Sequence, residues 1–206
     1  MGGHDPYSSS KGCAELVASA YRRSFLQDQG VSLASVRAGN VIGGGDWADD
    51  RLIPDILRSF EKNKPVVIRN PKATRPWQHV LEPLSGYLVL AQKMYNNHKE
   101  YAEGWNFGPR EEDVKPVDWI LDKMISKWPD SSWELDQNSN PHEADFLKLD
   151  ISKAESKLGW KPVWELSHTI DKIIGWHKAW LDKEDMQAVC LAEIEEYTKD
   201  MSNENY

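Results

Sequence analysis

Short β-branched or aromatic runs alternate along this chain with longer segments whose apolar residues recur every third or fourth position, and that alternation admits few folds. Val31 to Val36, Val66-Val67-Ile68 and Trp105-Asn106-Phe107-Gly108 read as strands, the first of them buried. Around them lie helical patterns. Asp5-Pro6 reads as N-cap and first helical residue, with Cys13, Leu16, Val17, Ala20, Tyr21 and Phe25 at helical spacing and Gly30 as the stop. A second helix is expected over about 50–63, carrying Leu52, Ile53, Ile56, Leu57 and Phe60 on one face, and Pro83 opens a third with Leu84, Leu88, Ala91 and Met94. Pro116 starts a helix to about Trp128, Ser152 caps a short one that stops at Gly159, and Leu166 to Leu181 is amphipathic. Residues 40–46, 71–77 and 129–145 read as turn or loop. Strands joined through helices pair in parallel, so the class is α/β.

With 206 residues and 40% hydrophobic content the chain can bury a core. No apolar run reaches the length of a membrane span, and Met-Gly-Gly-His-Asp-Pro has neither the basic nor the apolar region of a secretory signal. Cys13 and Cys190 form no metal or redox spacing, so a reducing cytoplasm is the expected compartment. Of the net charge of −8, residues 182–206 carry −6 (eight acids against two bases), which marks an acidic C-terminal tail. The near-neutral remainder has no basic stripe, so nucleic acid is not an expected partner, and neither is a membrane.

Tyr7 and Lys11 stand four residues apart, on one face of the first helix. A phenol with an ordinary pKa of about 10 is a poor base near neutrality, but a fixed positive charge beside it favours the phenolate. Such a pair can take a proton from a sugar hydroxyl while hydride leaves the same carbon. Spacing alone decides little: Tyr95 and Lys99 share it where a helix frays into a charged loop. Context separates the two, because Tyr7 follows an Asp-Pro helix start and precedes a helix, a strand and a glycine-rich turn. His79, His142, His168 and His177 have no metal spacing, and His177 lies on an apolar helix face as a core residue would.

The run Asp5-Pro6-Tyr7-Ser8-Ser9-Ser10-Lys11, with Val36-Arg37-Ala38-Gly39-Asn40-Val41-Ile42-Gly43, Leu52-Ile53-Pro54, Arg75-Pro76-Trp77-Gln78-His79-Val80 and Leu158-Gly159-Trp160-Lys161-Pro162, resembles the extended short-chain dehydrogenase/reductases acting on nucleotide sugars. Within that family the block Ala38 to Trp47 and the segment Lys72 to Pro83 are similar to the branch that dehydrates CDP-glucose at carbons 4 and 6. The resemblance implies the C-terminal part of a Rossmann-like doubly wound parallel sheet plus a smaller α/β nucleotide-sugar-binding domain. Residues 1–48 would end the NAD-binding domain, 49–181 would form mainly the substrate domain, and 182–206 the tail.

Residue by residue, the resemblance implies Tyr7 as catalytic base and Lys11 as the residue that holds the nicotinamide ribose and tunes Tyr7. Asn40 and the Val41 backbone match the loop between nicotinamide and sugar, with Val41 on the cofactor side. Leu52 and Ile53 match the lining of the base pocket, Arg75 an arginine on the pyrophosphate, and Glu143 a carboxylate on the ribose. The implied cycle oxidises the sugar 4-hydroxyl with bound NAD, loses water across carbons 5 and 6, and returns hydride to carbon 6. Its product would be CDP-4-keto-6-deoxyglucose, for dideoxysugar and O-antigen synthesis. No glycine fingerprint for a cofactor pyrophosphate precedes Tyr7, so Met1 is expected to be internal to a longer parent and the chain alone to be inactive. Another nucleotide-sugar epimerase or GDP-mannose dehydratase relative, and a non-catalytic binding or subunit-interaction module, stay open as readings. A homodimer built on the Tyr7 helix and a helix within 83–97 is the expected assembly.

Overall fold

The computed structural model describes residues 5–96, 99–138 and 146–203. They form two compact units, one of residues 1–38, 84–107 and 150–161, the other of 39–83, 108–149 and 162–206. Three of the four strand pairs among the described residues are parallel, as the alternation of helices and strands requires.

In the first unit, α1 (Pro6–Tyr21) begins at Asp5, whose carboxylate accepts from Ser8 N at 2.9 Å and from Ser8 Oγ at 2.6 Å. Those two bonds hold the Asp5 carboxyl below its ordinary range. The strand after it, β1 (Ser35–Ala38), pairs with β6 (Gly104–Phe107), Val36 opposite Trp105. Val36 is 40% exposed, which corrects the expectation of a buried strand here: β6 is its one partner among the described residues. The core of this unit lies beyond it, where Trp105, Phe107 and Trp160 pack with Leu90 of α3 (Leu81–Asn96), Ala154 and Leu158. Gly159, at φ 74°, ends the turn over 154–158 as expected. Ser152 does not cap it: its N–H and Oγ donate to Asp150 Oδ1 at 2.9 and 2.6 Å, and the turn's N-cap, Lys153, makes no side-chain capping bond.

In the second unit, α2 (Leu52–Glu61), α4 (Val117–Ile125) and α5 (Leu166–Leu181) surround one apolar core. Ile53, Ile56, Leu57 and Phe60 of α2 and Leu166, Ile170, Ile173 and Ile174 of α5 recur at helical spacing and are buried. Asp113 caps α5 from another segment by accepting from Leu166 N at 3.0 Å, and burial raises its carboxyl above the ordinary range. Three further expectations need correcting. Asn40–Ile42 is not a turn but strand β2, and residues 71–77 are not irregular throughout: Thr74–Arg75 is β4 and Trp77 opens β5 (Trp77–His79). β2 pairs in parallel with β5, and β4 pairs antiparallel with β7 (Lys115–Pro116). Trp133–Leu135, inside the supposed loop, is β8 and lies parallel to β3 (Val66–Ile68). Most of the acidic tail is a helix, α6 (Met186–Asn203), held by Tyr197, which is buried with Val163 and Trp164. His177 is buried on α5 beside Glu61, at 2.8 Å, in agreement with a structural role.

One buried charge anchors this unit. Glu82, in the first turn of α3, is 0% exposed. Its Oε2 accepts from Val163 N at 2.9 Å and from the Tyr197 hydroxyl at 2.8 Å, and its Oε1 from Trp164 N at 2.7 Å. Burial raises the Glu82 carboxyl despite these three donors.

Candidate functional site

The sequence-predicted residues fall into two groups, one in each unit. In the first unit Tyr7 and Lys11 lie together on α1, with the Lys11 ammonium 5.4 Å from the centre of the Tyr7 ring. Both line a cavity of about 800 Å³ with Gly12, Ala14, Ala18 and β1. Small residues on this face of α1 leave the space open, and Tyr7 is 72% exposed, so its hydroxyl is accessible to a ligand. Across the same cavity Glu15 accepts from Ser35 Oγ at 2.7 Å and lies 3.6 Å from Arg37, which steadies the wall formed by β1.

The second unit contains a cavity of about 520 Å³ that brings together Asn40, Val41, Leu52, Ile53 and Arg75. That is the size range of a small-molecule site. Val41, expected on the cofactor side, here shares its wall with the expected substrate residues. Asn40 and Val41 belong to β2 and are fixed by the ladder to β5, with Asn40 N bonded to Pro76 O at 2.8 Å. Leu52 and Ile53 form the first turn of α2, whose N-cap, Arg51, makes no side-chain capping bond. Backbone N–H groups at such a helix start suit an acceptor or an anion. Arg75, in β4, is joined in the lining by Arg51 and Arg69, so three arginines border the cavity. Trp77, also in the lining, keeps a buried indole N–H with no hydrogen-bond partner among the described residues. Glu143 lies outside the described residues.

Packing accounts for the glycines at 44 and 45 in the turn that follows β2. A Cβ on Gly44 would lie 2.2 Å from the Trp176 ring, and Gly45 has φ 77°, so the turn is pressed against α5. The turn thereby carries Asp46 to the cavity lining. Sequence reasoning missed Asp46, Arg69, Asn70, Trp77 and Asp136 as lining residues. A usable signal existed: in parallel α/β sheets ligands lie off the carboxyl ends of strands, and Arg69 and Asp136 directly follow β3 and β8.

Solved structures share this fold. The chain superposes with a TM-score of 0.71 on an NAD-dependent NDP-hexosamine 5,6-dehydratase of tunicamycin biosynthesis, at 19% identity over 91% of this chain and 56% of that one. It superposes with 0.69 on the dTDP-glucose 4,6-dehydratase of Bacillus anthracis, at 18% identity over 86% and 53%. Likeness at these identities defines the class as Rossmann-like α/β. The family model described as GDP-mannose 4,6 dehydratase matches residues 1–173, and the chain belongs to that family. It is 62% identical over 203 residues to the CDP-glucose 4,6-dehydratase of Salmonella typhimurium, covering 96% of this chain and 56% of the relative. The chain thus spans about half the length of the curated relative it matches so well. Among the described residues no helix is long and apolar enough to cross a membrane.

Proposed function

We propose that this chain forms the catalytic-tyrosine and nucleotide-sugar-binding portion of a CDP-glucose 4,6-dehydratase. The observation that carries the reading is the 62% identity, sustained over 203 residues, to an enzyme of that activity. Tyr7 takes the proton of the sugar 4-hydroxyl, and Lys11 donates to the ribose next to it. Both side chains suit the nicotinamide end of NAD, since they stand side by side on an open face of α1. NAD, when bound, would accept a hydride from the sugar and give it back in the same cycle. Arg75 neutralises the substrate pyrophosphate, Leu52 and Ile53 offer backbone donors to the base, Asn40 and Val41 border the sugar, and Glu143 accepts from the ribose. Cys13 and Cys190 are both free thiols, in keeping with a cytoplasmic enzyme.

These 206 residues contain no G-x-x-G-x-x-G turn to hold a dinucleotide pyrophosphate. Calorimetry and activity assays on the 206-residue chain should therefore detect weak binding of CDP-glucose, no binding of NAD at micromolar concentration, and no dehydratase turnover. Tight NAD binding, or silence toward CDP-glucose, would overturn the division of labour proposed here.

Homodimerisation is part of the same proposal. Leu16, Val17 and Tyr21 on α1 and Leu84, Leu88 and Tyr95 on α3 are large apolar side chains left exposed, more than scattered surface residues require. Two copies burying these faces would form an isologous interface. Light scattering at tens of micromolar should give twice the chain mass, and Leu88→Lys should return a monomer. A wild-type monomer across that range would exclude the interface.

A further inference from the structure

We infer that Asp136, with Arg69 beside it, reads the base edge of the nucleotide and makes this cavity select cytosine over uracil. The inference rests on the reading above that the second unit's cavity holds a nucleotide sugar.

Topology puts the two side chains together. β3 and β8 run parallel with Ile68 opposite Leu135, and Asp136 N donates to Ile68 O at 2.8 Å, extending the ladder by one step. Arg69 and Asp136 are consequently the next residues on adjacent strands, at the same carboxyl end, and both line the cavity. The Asp136 carboxylate is held in place locally: its Oδ1 accepts from Asn138 N at 2.9 Å and from Asn138 Nδ2 at 2.7 Å. An acceptor fixed in this way can discriminate, because it cannot swing aside at no cost to suit a different ligand.

The chemistry of the lining supplies the rest. Val66, Ile68, Ala73, Leu52 and Ile53 give this region apolar walls that suit the faces of a flat ring. A carboxylate only accepts, so a base edge that meets Asp136 must present a donor to it. Cytosine offers one in its exocyclic amine, beside the ring-nitrogen and carbonyl acceptors that a guanidinium can satisfy. Uracil has a carbonyl in place of that amine and an N–H in place of that ring acceptor. It would set an oxygen against the Asp136 carboxylate and a donor against Arg69. One acid and one arginine thus match the first base and mismatch the second.

The test is calorimetric titration of the chain with CDP and with UDP, for the wild type and for Asp136→Asn and Asp136→Ala. Wild type should prefer CDP by about tenfold or more, the discrimination expected of one good base contact. Both variants should lose CDP affinity while UDP affinity is kept or raised, so that the ratio falls close to one; retained UDP binding shows that they remain folded. A ratio unchanged in the variants, with both nucleotides weakened equally, would assign Asp136 to the ribose or to the fold and overturn the inference. Equal binding of CDP and UDP by wild type would also overturn it while leaving the nucleotide cavity intact. Binding of neither nucleotide would instead remove the underlying reading, and the inference with it.

Discussion

In the dehydratase proposed here, expressed with its dinucleotide-binding segment, Tyr7→Phe is expected to lower kcat by about 10²–10⁴-fold, the usual contribution of a positioned proton acceptor. KM for CDP-glucose should stay within severalfold, because the groups proposed to bind the substrate (Asn40, Leu52, Ile53, Arg75) belong to the other unit and keep their lining positions. The change removes one oxygen from a 72%-exposed side chain, so the fold should not respond. Tyr95→Phe is the internal control. Tyr95 has the same spacing to a lysine, but it stands in the last turn of α3 and does not line the cavity that holds Tyr7 and Lys11. Its replacement should leave turnover unchanged. Ketone formation measured for the three proteins decides the matter, and a Tyr7→Phe enzyme turning over at the wild-type rate would remove Tyr7 from the chemistry.

The largest stability effect should come from Glu82. Glu82→Ala would remove the shared acceptor of three buried donors, Val163 N–H, Trp164 N–H and the Tyr197 hydroxyl, in a site with no solvent exposure. At about 1–3 kcal/mol for each donor left without this acceptor, the loss should reach about 3–9 kcal/mol. For a chain of this length, that corresponds to a Tm lower by roughly 6–36 °C. Tyr197→Phe removes a single donor and should cost about 1.5–3 kcal/mol. The two losses should not add, because Glu82→Ala already breaks the bond that Tyr197→Phe removes. A fall in Tm of less than about 3 °C for Glu82→Ala would mean that water or repacking satisfies the donors.

Glu82 also makes a pH-dependent contribution of definite sign. Its folded pKa is raised above 4.5, chiefly by burial, so the folded state binds this proton more tightly than the unfolded state does. The contribution is therefore most favourable at and below pH 4.5, declines as pH rises through the raised folded value, and is constant above it. Urea unfolding across that window should show a downward slope in wild type relative to Glu82→Gln, which has no proton to lose. Parallel pH profiles for the two proteins would contradict the buried-carboxylate account.

Much of the architecture was legible in the chain itself. The spacing of Ile53, Ile56, Leu57 and Phe60 marks α2 as one-sided, and the period from Leu166 to Ile174 does the same for α5, because helical periodicity is a local property and burial follows from it. Asp5-Pro6 marks the start of α1 for an equally local reason, and four-residue spacing puts Tyr7 and Lys11 on one face. What the sequence could not determine is everything set by a distant partner. β2, β5 and β8 have three residues each, too few for a period, and become strands only because a parallel neighbour far along the chain supplies their hydrogen bonds. The tail has mainly acidic composition and a weak apolar pattern, yet it is a helix whose Tyr197 reaches a carboxylate buried 115 residues earlier. Asp136 gives no local sign of a role either. Only the pairing of β8 with β3 carries it to the wall of a cavity beside Arg69, because a strand end is defined by the strand it joins.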